Sequence, residues 1–414
     1  MKKIWSSVFL IFVIGASFGL RGEAAAEGQR TYTLDDLISI ALERNPSASV
    51  FQAALEAGKA NILSARAYPN PEMEFMGGAG KSLETSAVKD EYSIGITQPI
   101  ELSKKRFYRQ QAAEAEAEVL GRDIDNFRLE VIAGVKTGFY LLLLNKKVLD
   151  ITVANYRTVE EFLNSVSVRV KAGETPEFEL VKAKVELMRA DKERRKAANK
   201  IVISRASLSA LLGGALEKDF DIAGDFAFRR GKNDLKEFLS RAMRNHPLIL
   251  KAKKEVEAKG FSFELEKASV FPDVALKAGV VREMDKDTYT MGISMPIPFW
   301  YQRKGEITSA SARKAKAEAE LVRTEVELSN AIIEEYQNYS IAYDQIEIFE
   351  EGLLNQAEEA LRIANLSYIQ GESGILDYID AQRVHRAIGL EYYQSFFELE
   401  SATASLERVS GGMP

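Results

Sequence analysis

Three sets of residues have types and spacings that could do chemistry, and the first is Gly80-Lys81-Ser82. This tripeptide has the form of the end of a phosphate-binding loop. A complete loop of that kind needs a glycine five residues before Gly80 and a helix that begins at the Lys-Ser pair. Phe75 occupies the glycine position, and the residues after Ser82 carry no apolar helical face. We therefore interpret residues 75–82 as the end of a strand followed by a hairpin loop, not as a nucleotide site.

The second set is a pair of carboxylates. Asp377 and Asp380 are three residues apart in GESGILDYIDA, so on a helix they share one face. Grouped carboxylates can favour cations in a pore and can hold a divalent ion. Acidic residues in the first turns of a helix can also do no more than stabilise its positive end, by about a few tenths of a kcal/mol. The spacing alone leaves both interpretations open.

The third set contains the residues that most often act in hydrolysis and metal binding. The chain has 2 histidines, His246 and His385, which lie in different parts of the sequence, and it has no HExxH motif. It has 0 cysteines, which excludes disulfides, thiolate metal sites, catalytic thiols and a lipid-modified cysteine. His246 precedes a proline at the place where an earlier, similar segment has Asn45, which favours a capping or turn role over a ligand role. The sequence predicts no enzyme and no catalytic, cofactor-binding or metal-binding residues.

Residues 1–26 have the composition of an export signal. Met1-Lys2-Lys3 is followed by an apolar run that ends at Leu20 and then by Ala24-Ala25-Ala26. We expect cleavage after Ala26; the alternative, an uncleaved anchor helix, is disfavoured because the run is short for a membrane span. The whole chain has a net charge of -6, and removal of the signal leaves about -8. This negative charge disfavours nucleic acid as a partner.

The remaining chain consists of two copies of one unit, which we call the first repeat (27–233) and the second repeat (234–414). The segments LDDLISIALERNP and LKEFLSRAMRNHP align at an offset of about 200 residues, and the offset drifts by only a few positions to the chain end. Chance similarity between helical sequences would not keep this register. The matching segments include 34–46 with 235–247, 92–100 with 289–297, and Gly213-Gly214 with Gly411-Gly412.

Each repeat is predicted to contain one helix, two strands, a very long helix, a glycine turn and a last helix. A helix of about 70 residues is about 100 Å long, which no compact domain can bury. Apolar residues on the second long helix recur at steps of three and four, which is typical of a coiled-coil seam. We expect Gly173 and Gly371 to reverse the chain between antiparallel helices. The predicted helices are 34–67 and 103–171, and 235–268 and 303–370. The predicted seam is Ile332, Tyr336, Tyr339, Tyr343, Ile346, Phe349, Leu353, Ala357, Ala360 and Ala364.

The predicted strands alternate between apolar residues and small or polar ones. In the segment YTMGISM, Tyr289, Met291 and Ile293 point to one side, and the intervening residues are threonine, glycine and serine. This alternation suits a barrel wall with lipid outside and water inside. The edge of a soluble β-sandwich is the alternative. The predicted strands are 72–80, 91–99, 273–281 and 288–296, with Pro71, Pro99, Pro272 and Pro296 at the helix–strand junctions.

Four strands cannot close a barrel. Unpaired strand edges cannot face lipid, so the edges must pair with other copies of the chain. Three chains would supply twelve strands and a usable bore. The predicted fold is therefore mainly α with a membrane β-barrel contribution: tandem-duplicated long antiparallel coiled-coil helices and four transmembrane strands per chain.

With these elements in place, the sequence resembles the outer membrane efflux protein family, the TolC-like channels. The resemblance rests on the A-x(3)-N-P and A-x(3)-H-P elements that end at Pro46 and Pro247, on Pro69-Asn70-Pro71, on Gln98-Pro99-Ile100 and on Gly371–Ala381. It extends over essentially the whole mature chain. It implies a homotrimer with one twelve-stranded barrel in the outer membrane and a periplasmic tunnel of paired helices. It also implies a periplasmic adaptor protein and an inner-membrane pump as partners.

The function that this resemblance implies is a passive exit duct of a tripartite efflux system in a Gram-negative-type cell. The segment QPIELSKKR, residues 98–106, resembles the cobalt-zinc-cadmium efflux (CzcC-like) branch, although Ser103-Lys104 stands where two glycines are usual. Heavy-metal cations are thus a candidate substrate. A periplasmic coiled-coil structural protein without a pore is the alternative, but such a protein would not need lipid-facing strands.

The resemblance also implies roles for individual residues. The family's periplasmic gate aspartates match Asp377 and Asp380. In the first repeat, Glu179 is the counterpart of Asp377, and Lys182 replaces Asp380. The hairpin tips at Gly173 and Gly371 would meet the adaptor protein.

Overall fold

A computed structural model of the chain describes residues 30–81, 88–217, 219–228, 230–232, 234–283 and 286–412. The predicted export signal, residues 1–26, lies outside these ranges. Within them, long helices lead into one four-stranded sheet, and two two-residue strands pair with each other in a small parallel sheet. The predicted fold class, long helices with four sheet-forming strands per chain, is confirmed.

The two repeats have the same order of elements. The first repeat contains β1 (Thr31–Tyr32), α1 (Leu34–Arg44), α2 (Pro46–Arg66), β2 (Glu72–Lys81), β3 (Val88–Ile100), α3 (Lys105–Lys171) and α4 (Glu177–Leu211). The short strand β4 (Asp221–Ile222) ends the first repeat. The second contains α5 (Leu235–Asn245), α6 (Pro247–Ala268), β5 (Val274–Glu283), β6 (Lys286–Ser294), α7 (Lys304–Ile348), α8 (Leu354–Gln370) and α9 (Ile375–Ser410), with α7 and α8 in the place of α3. The strand β3 begins three residues earlier than predicted, so the predicted loop before Glu91 is partly strand.

The helix at the start of each repeat is in fact two helices. The prediction of single helices over 34–67 and 235–268 is wrong, because α2 begins at Pro46 and α6 begins at Pro247. Proline has no N–H to donate and disfavours helical geometry at the residue before it. It fits well at the first position of a helix, so the chain stops one helix and starts the next there.

Asn45 and His246 lie at these two breaks and make the same pair of contacts. Each side chain accepts a hydrogen bond from the backbone N–H two residues later, at 2.9 Å for Asn45 and 3.2 Å for His246. Asn45 also donates to the Leu211 carbonyl oxygen (3.1 Å), and His246 Nε2 lies 3.2 Å from the Arg408 carbonyl oxygen. Burial lowers the pKa of His246, which favours the neutral ring that these contacts require. The capping role predicted for His246 is confirmed, and the side chain also ties the break to the last helix of its repeat.

The predicted continuous helix over 303–370 is also wrong. A π-helical turn, Phe349–Leu353, separates α7 from α8, and Gly352 within it has a φ of 124°. Only glycine adopts such a φ at low cost. The first repeat has no such turn, since α3 runs without interruption from Lys105 to Lys171.

The predicted seam is confirmed before this turn and in part after it. Ile332, Tyr343 and Ile346 are buried before the turn, as predicted. After it, Leu353 and Ala360 are exposed, whereas the next residues, Leu354 and Leu361, are partly buried. Ala357 is buried and Ala364 is partly buried, as predicted. Beyond the turn, Leu354 and Leu361 therefore take the seam positions predicted for Leu353 and Ala360.

Two hydrophobic clusters of similar composition hold the repeats together. In the first repeat, Leu37 and Ala41 of α1 pack against α3 and the end of α4. In the second, Phe238 and Ala242 of α5 pack against α7 and the end of α9. The helix α3 contacts α2, α4, α6 and α9, so it links the two repeats along its length. Within the described ranges, no helix combines the length and apolar composition needed to cross a bilayer.

Candidate functional site

The sheet has the order β2-β3-β5-β6, and all its pairs are antiparallel. The two repeats meet in the middle, where β3 pairs with β5. β2 and β6 lie at the outer edges, so among the described residues of one chain each has one side without a strand partner. Unpaired backbone groups are very costly in lipid, so these edges need further strands if the sheet lies in a membrane.

The two faces of this sheet differ in chemistry. On the first, which we call the apolar face, one row across the strands is Phe75, Ile94, Val280 and Tyr289, and the next is Met73, Ile96, Ala278 and Met291. On the opposite, polar face, the corresponding rows are Glu74, Gly95, Gly279 and Thr290, and Glu72, Thr97, Lys277 and Gly292. Met291 is 92% exposed and Phe75 is 70% exposed, so no residue that the structure describes covers the apolar face at these positions. Apolar side chains outside and small or polar ones inside are typical of a membrane barrel wall.

The four predicted junction prolines all lie at the end of the sheet that adjoins the long helices. Pro71 immediately precedes β2, and Pro272 lies two residues before β5. Pro99 is the next-to-last residue of β3, and Pro296 lies two residues after β6. A proline suits the end of a strand because it cannot donate to the strand ladder.

An ion pair between a buried lysine and a partly exposed aspartate connects the two repeats at this end of the sheet. Lys105, at the start of α3, is only 7% exposed, and its Nζ lies 2.7 Å from Asp273 Oδ1. The same oxygen accepts a hydrogen bond from the Leu102 N–H (3.1 Å). Arg109 forms a second, bidentate pair with Glu101, at 2.5 and 3.0 Å. The contact between Lys105 and Asp273 could not be predicted from the sequence, because the two residues are far apart in the chain and follow no local spacing.

The turns before α3 and α7 are built from non-glycine residues in the left-handed region. Ser103, Lys104 and Arg303 have φ values of 57°, 61° and 56°. This conformation costs an L-residue roughly 1–2 kcal/mol, whereas glycine adopts it freely. Ser103 and Lys104 are the two residues that stand where the related branch has glycines.

We expect replacement of Ser103 or Lys104 by glycine to raise the free energy of unfolding by about 1 kcal/mol each, because the strain at positive φ is removed. The measurement is thermal unfolding of the purified protein, followed by circular dichroism. Ser311→Gly is the matched control, since Ser311 lies exposed inside α7; there glycine should destabilise by about 0.5–1 kcal/mol. A loss of stability in Ser103→Gly as large as in the control would contradict the strain argument.

The far ends of the long helices meet in a cluster that contains both hairpin tips. Val166 of α3, Ala183 of α4, and Ile375 and Ile379 of α9 form its buried core. The rings of Tyr368 and Tyr378 stack at 5.8 Å beside this core. Burial raises the pKa of Tyr378, so its hydroxyl stays protonated at neutral pH. The tips therefore pack against each other within one chain.

Gly173 and Gly371 end α3 and α8 at these tips. Their φ values are 76° and 77°. In each tip, the N–H of the residue after the glycine donates to the carbonyl oxygen five residues earlier, at 3.0 Å for Glu174 and 2.9 Å for Glu372. This is the Schellman pattern, in which glycine supplies the left-handed residue that ends the helix. No atom lies within 4 Å of the Cβ position at either glycine, so the backbone angle alone accounts for the residue type.

Asp377 lies in the first turn of α9 and is exposed. Its Oδ2 accepts a hydrogen bond from the Gly374 N–H (3.2 Å), so the carboxylate caps its own helix. This contact occupies one of its two oxygens. Asp377 therefore stabilises the start of its own helix, which was one of the two interpretations of the sequence. Because the side chain is exposed, the other interpretation, that it favours cations in a pore, can be tested by substitution.

Asp380 lies one turn further along the same helix face. Its side chain is 73% exposed, and its Oδ1 lies 3.6 Å from Arg383 Nη1. Arg383 also bonds to Glu186 of α4 at 2.5 Å, which connects the two hairpins. The buried Tyr378 and Ile379 lie between the two aspartates in sequence, so both carboxylates point away from the tip cluster. The sequence analysis did not identify Arg383, although its spacing from Asp380 could have suggested the pair.

Glu179 lies apart from these aspartates, in the first turn of α4, and is partly buried. Lys182, the counterpart of Asp380, lies with its Nζ 4.5 Å above the centre of the Phe178 ring. The structure therefore groups Asp377 with Asp380 on one helix and leaves Glu179 on the other hairpin. Among the residues that the structure describes, no three His, Asp or Glu side chains come together in a group that could hold a metal ion.

Known proteins resemble this chain over nearly its full length. The sequence profile of the family described as "Outer membrane efflux protein" matches residues 37–214 and again residues 238–412. The cobalt-zinc-cadmium resistance protein CzcC of Cupriavidus metallidurans is 24% identical over 382 residues, which are 92% of this chain and 90% of CzcC.

Solved structures match the fold. A membrane protein from Pseudomonas aeruginosa superposes with a TM-score of 0.80 at 19% identity, covering 93% of this chain and 91% of the other. The open state of the MtrE outer membrane channel of Neisseria gonorrhoeae superposes with a TM-score of 0.76 at 20% identity, covering 92% and 89%.

Proposed function

Because the chain belongs to the outer membrane efflux protein family, we propose that it is the passive exit duct of a tripartite efflux system. A protein of this family lies in the outer membrane and extends into the periplasm. In the proposed role, the duct receives substrates through a periplasmic adaptor protein from an inner-membrane pump and releases them outside the cell. The duct itself does no chemistry on its cargo, and we propose no enzymatic activity.

The observation that supports a pore most directly is the two-faced sheet. In the part of the chain that the structure describes, its apolar face is exposed and its two edge strands have no partner on their outer sides. Its polar face carries glycine, threonine and charged side chains. A homotrimer resolves all three features, since three four-stranded sheets joined edge to edge make twelve strands, with the apolar faces outward and the polar faces around water. We propose this assembly, with the sheets in the membrane and the long helices forming a tunnel below them.

The domain organisation that we propose follows the repeats. Residues 1–26 are the export signal, 27–233 the first repeat and 234–414 the second. The hairpin tips at Gly173 and Gly371 lie at the end of the helices remote from the sheet, which in this orientation is the periplasmic end. We propose that these tips contact the adaptor protein.

We further propose that divalent heavy-metal cations are the substrates. The support is the similarity to CzcC, whose printed name is that of a cobalt-zinc-cadmium resistance protein, together with the exposed Asp377 and Asp380. In the proposed trimer these side chains, joined by Glu179 of the first repeat, would place negative charge around the periplasmic entrance. Rings of carboxylates favour cations in pores.

Paired arginine substitutions test whether the sheet lies in lipid. Met291→Arg places a charge on the apolar face, and we expect it to reduce insertion into lipid vesicles by about 2–4 kcal/mol per chain at the bilayer centre. Thr290→Arg, one residue away on the polar face, should leave insertion nearly unchanged. The first measurement is the fraction of refolded protein that floats with the vesicles. The second is the conductance of the protein in planar bilayers.

Met291→Arg and Thr290→Arg also distinguish an exit duct from the alternative function, a structural protein without a pore. A periplasmic coiled-coil structural protein has no lipid-facing side, so both arginines would have similar, small effects and neither protein would conduct. Equal insertion of the two variants would therefore contradict the proposed membrane wall.

A further inference from the structure

The last helix of each repeat ends against the helix break at the start of the same repeat. In the second repeat, α9 is followed by Gly411, and a Cβ atom on this glycine would lie 3.5 Å from the Cα and Cδ2 atoms of His246. In the first repeat, a Cβ atom on Gly213 would lie 2.9 Å from Pro46 Cδ. We call the contacts between the end of α4 and Asn45 the first joint, and those between the end of α9 and His246 the second joint.

Both ring nitrogens of His246 are occupied in the second joint. Nδ1 accepts a hydrogen bond from the Leu248 N–H (3.2 Å), and Nε2 lies 3.2 Å from the Arg408 carbonyl oxygen. These contacts assign the neutral tautomer whose proton is on Nε2, because Nδ1 needs its lone pair to accept. A second proton on Nδ1 would point at the Leu248 N–H and break this cap. The charged ring therefore cannot keep both contacts.

The surroundings of His246 also disfavour a positive charge on its ring. The residue is 2% exposed, and burial lowers its pKa. The positive charge of Arg408 acts in the same direction. Among the residues that the structure describes, no carboxylate forms an ion pair with the ring.

The carboxylates on the helices around the second joint are committed to other cations. Glu407 of α9 pairs with Lys136 of α3, and Glu335 of α7 lies 3.9 Å from the Arg408 guanidinium. On α5, the Arg241 guanidinium donates to the Gly412 carbonyl oxygen at 3.0 Å. The remaining charged groups of this region are Arg244 in the last turn of α5 and the pair of Lys251 on α6 with Asp123 on α3.

The first joint makes the same two contacts with a side chain that does not titrate. Asn45 accepts a hydrogen bond from the Ser47 N–H (2.9 Å) and donates one to the Leu211 carbonyl oxygen (3.1 Å). An amide side chain has both an acceptor and donors, whatever the pH near neutrality. The second joint alone therefore depends on a neutral histidine.

We propose that the second joint is sensitive to acid: when His246 takes up a proton, the end of α9 is released from the break between α5 and α6, while the first joint stays closed. A solvent-exposed histidine titrates near pH 6.5. Below this pH the open joint binds more protons than the closed one, so the closed joint is most stable above pH 6.5 and loses stability as the pH falls. Because α9 runs from this joint to the hairpin tips, the joint holds the end of α9 that is remote from Asp377 and Asp380.

Hydrogen exchange of the full processed chain in detergent, followed by mass spectrometry, tests this inference. The protection of the amides in 406–412 is compared at pH 7.5 and pH 5.5, after correction for the intrinsic exchange rate at each pH. Protonation of an exposed histidine favours opening by at most about tenfold over this range. We expect a severalfold loss of protection at 406–412 and none at 207–213, the matching segment of the first joint. Ordinary carboxylates stay ionised at both pH values.

The chain has 2 histidines, so two substitutions identify the one responsible. His246→Asn introduces the side chain that the first joint uses, and we expect it to keep the fold and to abolish the dependence on pH. His385→Asn removes the other histidine, which lies within α9, and should leave the dependence unchanged.

Three results would overturn the inference. Constant protection at 406–412 in the unaltered chain would do so without the need for any variant to fold. An equal loss in both joints, or a loss that persists in His246→Asn, would show a general effect of acid. A dependence that disappears in His385→Asn would assign it to the other histidine. The measurement requires neither lipid nor conductance, so each of these results would leave the proposed exit duct untouched.

Discussion

Replacement of Asp377 and Asp380 by alanine should raise the single-channel conductance and reduce the preference for cations. Both carboxylates are exposed at the tip of α9, and in the proposed trimer six of them surround one opening. A charge about 10 Å from a passing ion contributes about 0.4 kcal/mol in water. Six such charges, screened by 0.1 M salt, add up to roughly 1 kcal/mol, so we expect a severalfold loss of cation preference. The measurement is the reversal potential of purified channels in planar bilayers across a salt gradient.

The asparagine versions of the same variants are the matched control. Asp377 accepts the Gly374 N–H, so Asp377→Ala removes a helix cap as well as a charge. Asp377→Asn with Asp380→Asn removes both charges and keeps an acceptor oxygen at each position. If the carboxylate charges close the entrance, the asparagine pair and the alanine pair should show the same conductance and the same cation preference. Normal selectivity in the asparagine pair would show that the charges of Asp377 and Asp380 do not act as the gate.

Asp273→Ala should be the most destabilising single substitution at the sheet–helix junction. It leaves the Lys105 ammonium buried without its partner and removes the acceptor of the Leu102 N–H. Breaking a buried ion pair by removing one partner costs about 3–5 kcal/mol, and the partial exposure of Asp273 places the expected loss near 3 kcal/mol. The measurement is chemical unfolding of the detergent-solubilised protein.

A second substitution at Lys105 provides the control. Lys105→Met in the Asp273→Ala background removes the unpaired charge and keeps a side chain of similar length. We expect it to recover most of the lost stability, since replacement of a whole buried pair by apolar groups is often close to neutral. If the double variant is as unstable as Asp273→Ala, the cost arises from the lost Leu102 contact and not from the buried charge.

The alternation of side chains in the strands could be read from the sequence because a strand has a period of two and a one-residue slip would reverse its faces. The prediction for 289–295 therefore depended on local residue types alone. The register between β3 and β5 could not be derived in the same way. It depends on which residues of the two repeats lie opposite each other, and only the structure shows that Ile94 pairs with Val280.

The helix breaks show where periodicity misleads. Apolar residues continue through Asn45-Pro46 and His246-Pro247 with helical spacing, so the pattern favoured one helix in each repeat. The prolines were a signal against this, because proline is common at the first position of a new helix. The π-helical turn at Gly352 left a weaker signal. A glycine inside a helix is often tolerated. That Leu354 and Leu361 replace Leu353 and Ala360 in the seam, while Ala357 and Ala364 keep their predicted places, is evident only from the structure.

The role of Asp377 and Asp380 as a gate remains a prediction, because it depends on contacts between several chains. Asp377 and Asp380 were identified from their spacing and from a family resemblance, and the structure shows their exposure and hydrogen bonds within one chain. A ring of charges exists only where several chains meet. Arg383 and Glu186 are the residues that the sequence did not identify, and they now show that the charge near Asp380 is partly balanced by a cation shared with the other hairpin.

The central β3–β5 pair also has a consequence for how the molecule folds. β2 and β3 are neighbours in sequence, as are β5 and β6, so each hairpin is a local structure that can form quickly. Joining the two hairpins requires contacts such as Ile94 with Val280, which are separated by almost half of the chain. Such non-local pairings form slowly. Until β3 pairs with β5, each hairpin has unpaired strand edges, which can pair with other chains, and an exposed apolar surface. Newly exported chains should therefore need a holding chaperone in the periplasm, and the slow step of their assembly should be the meeting of the two repeats.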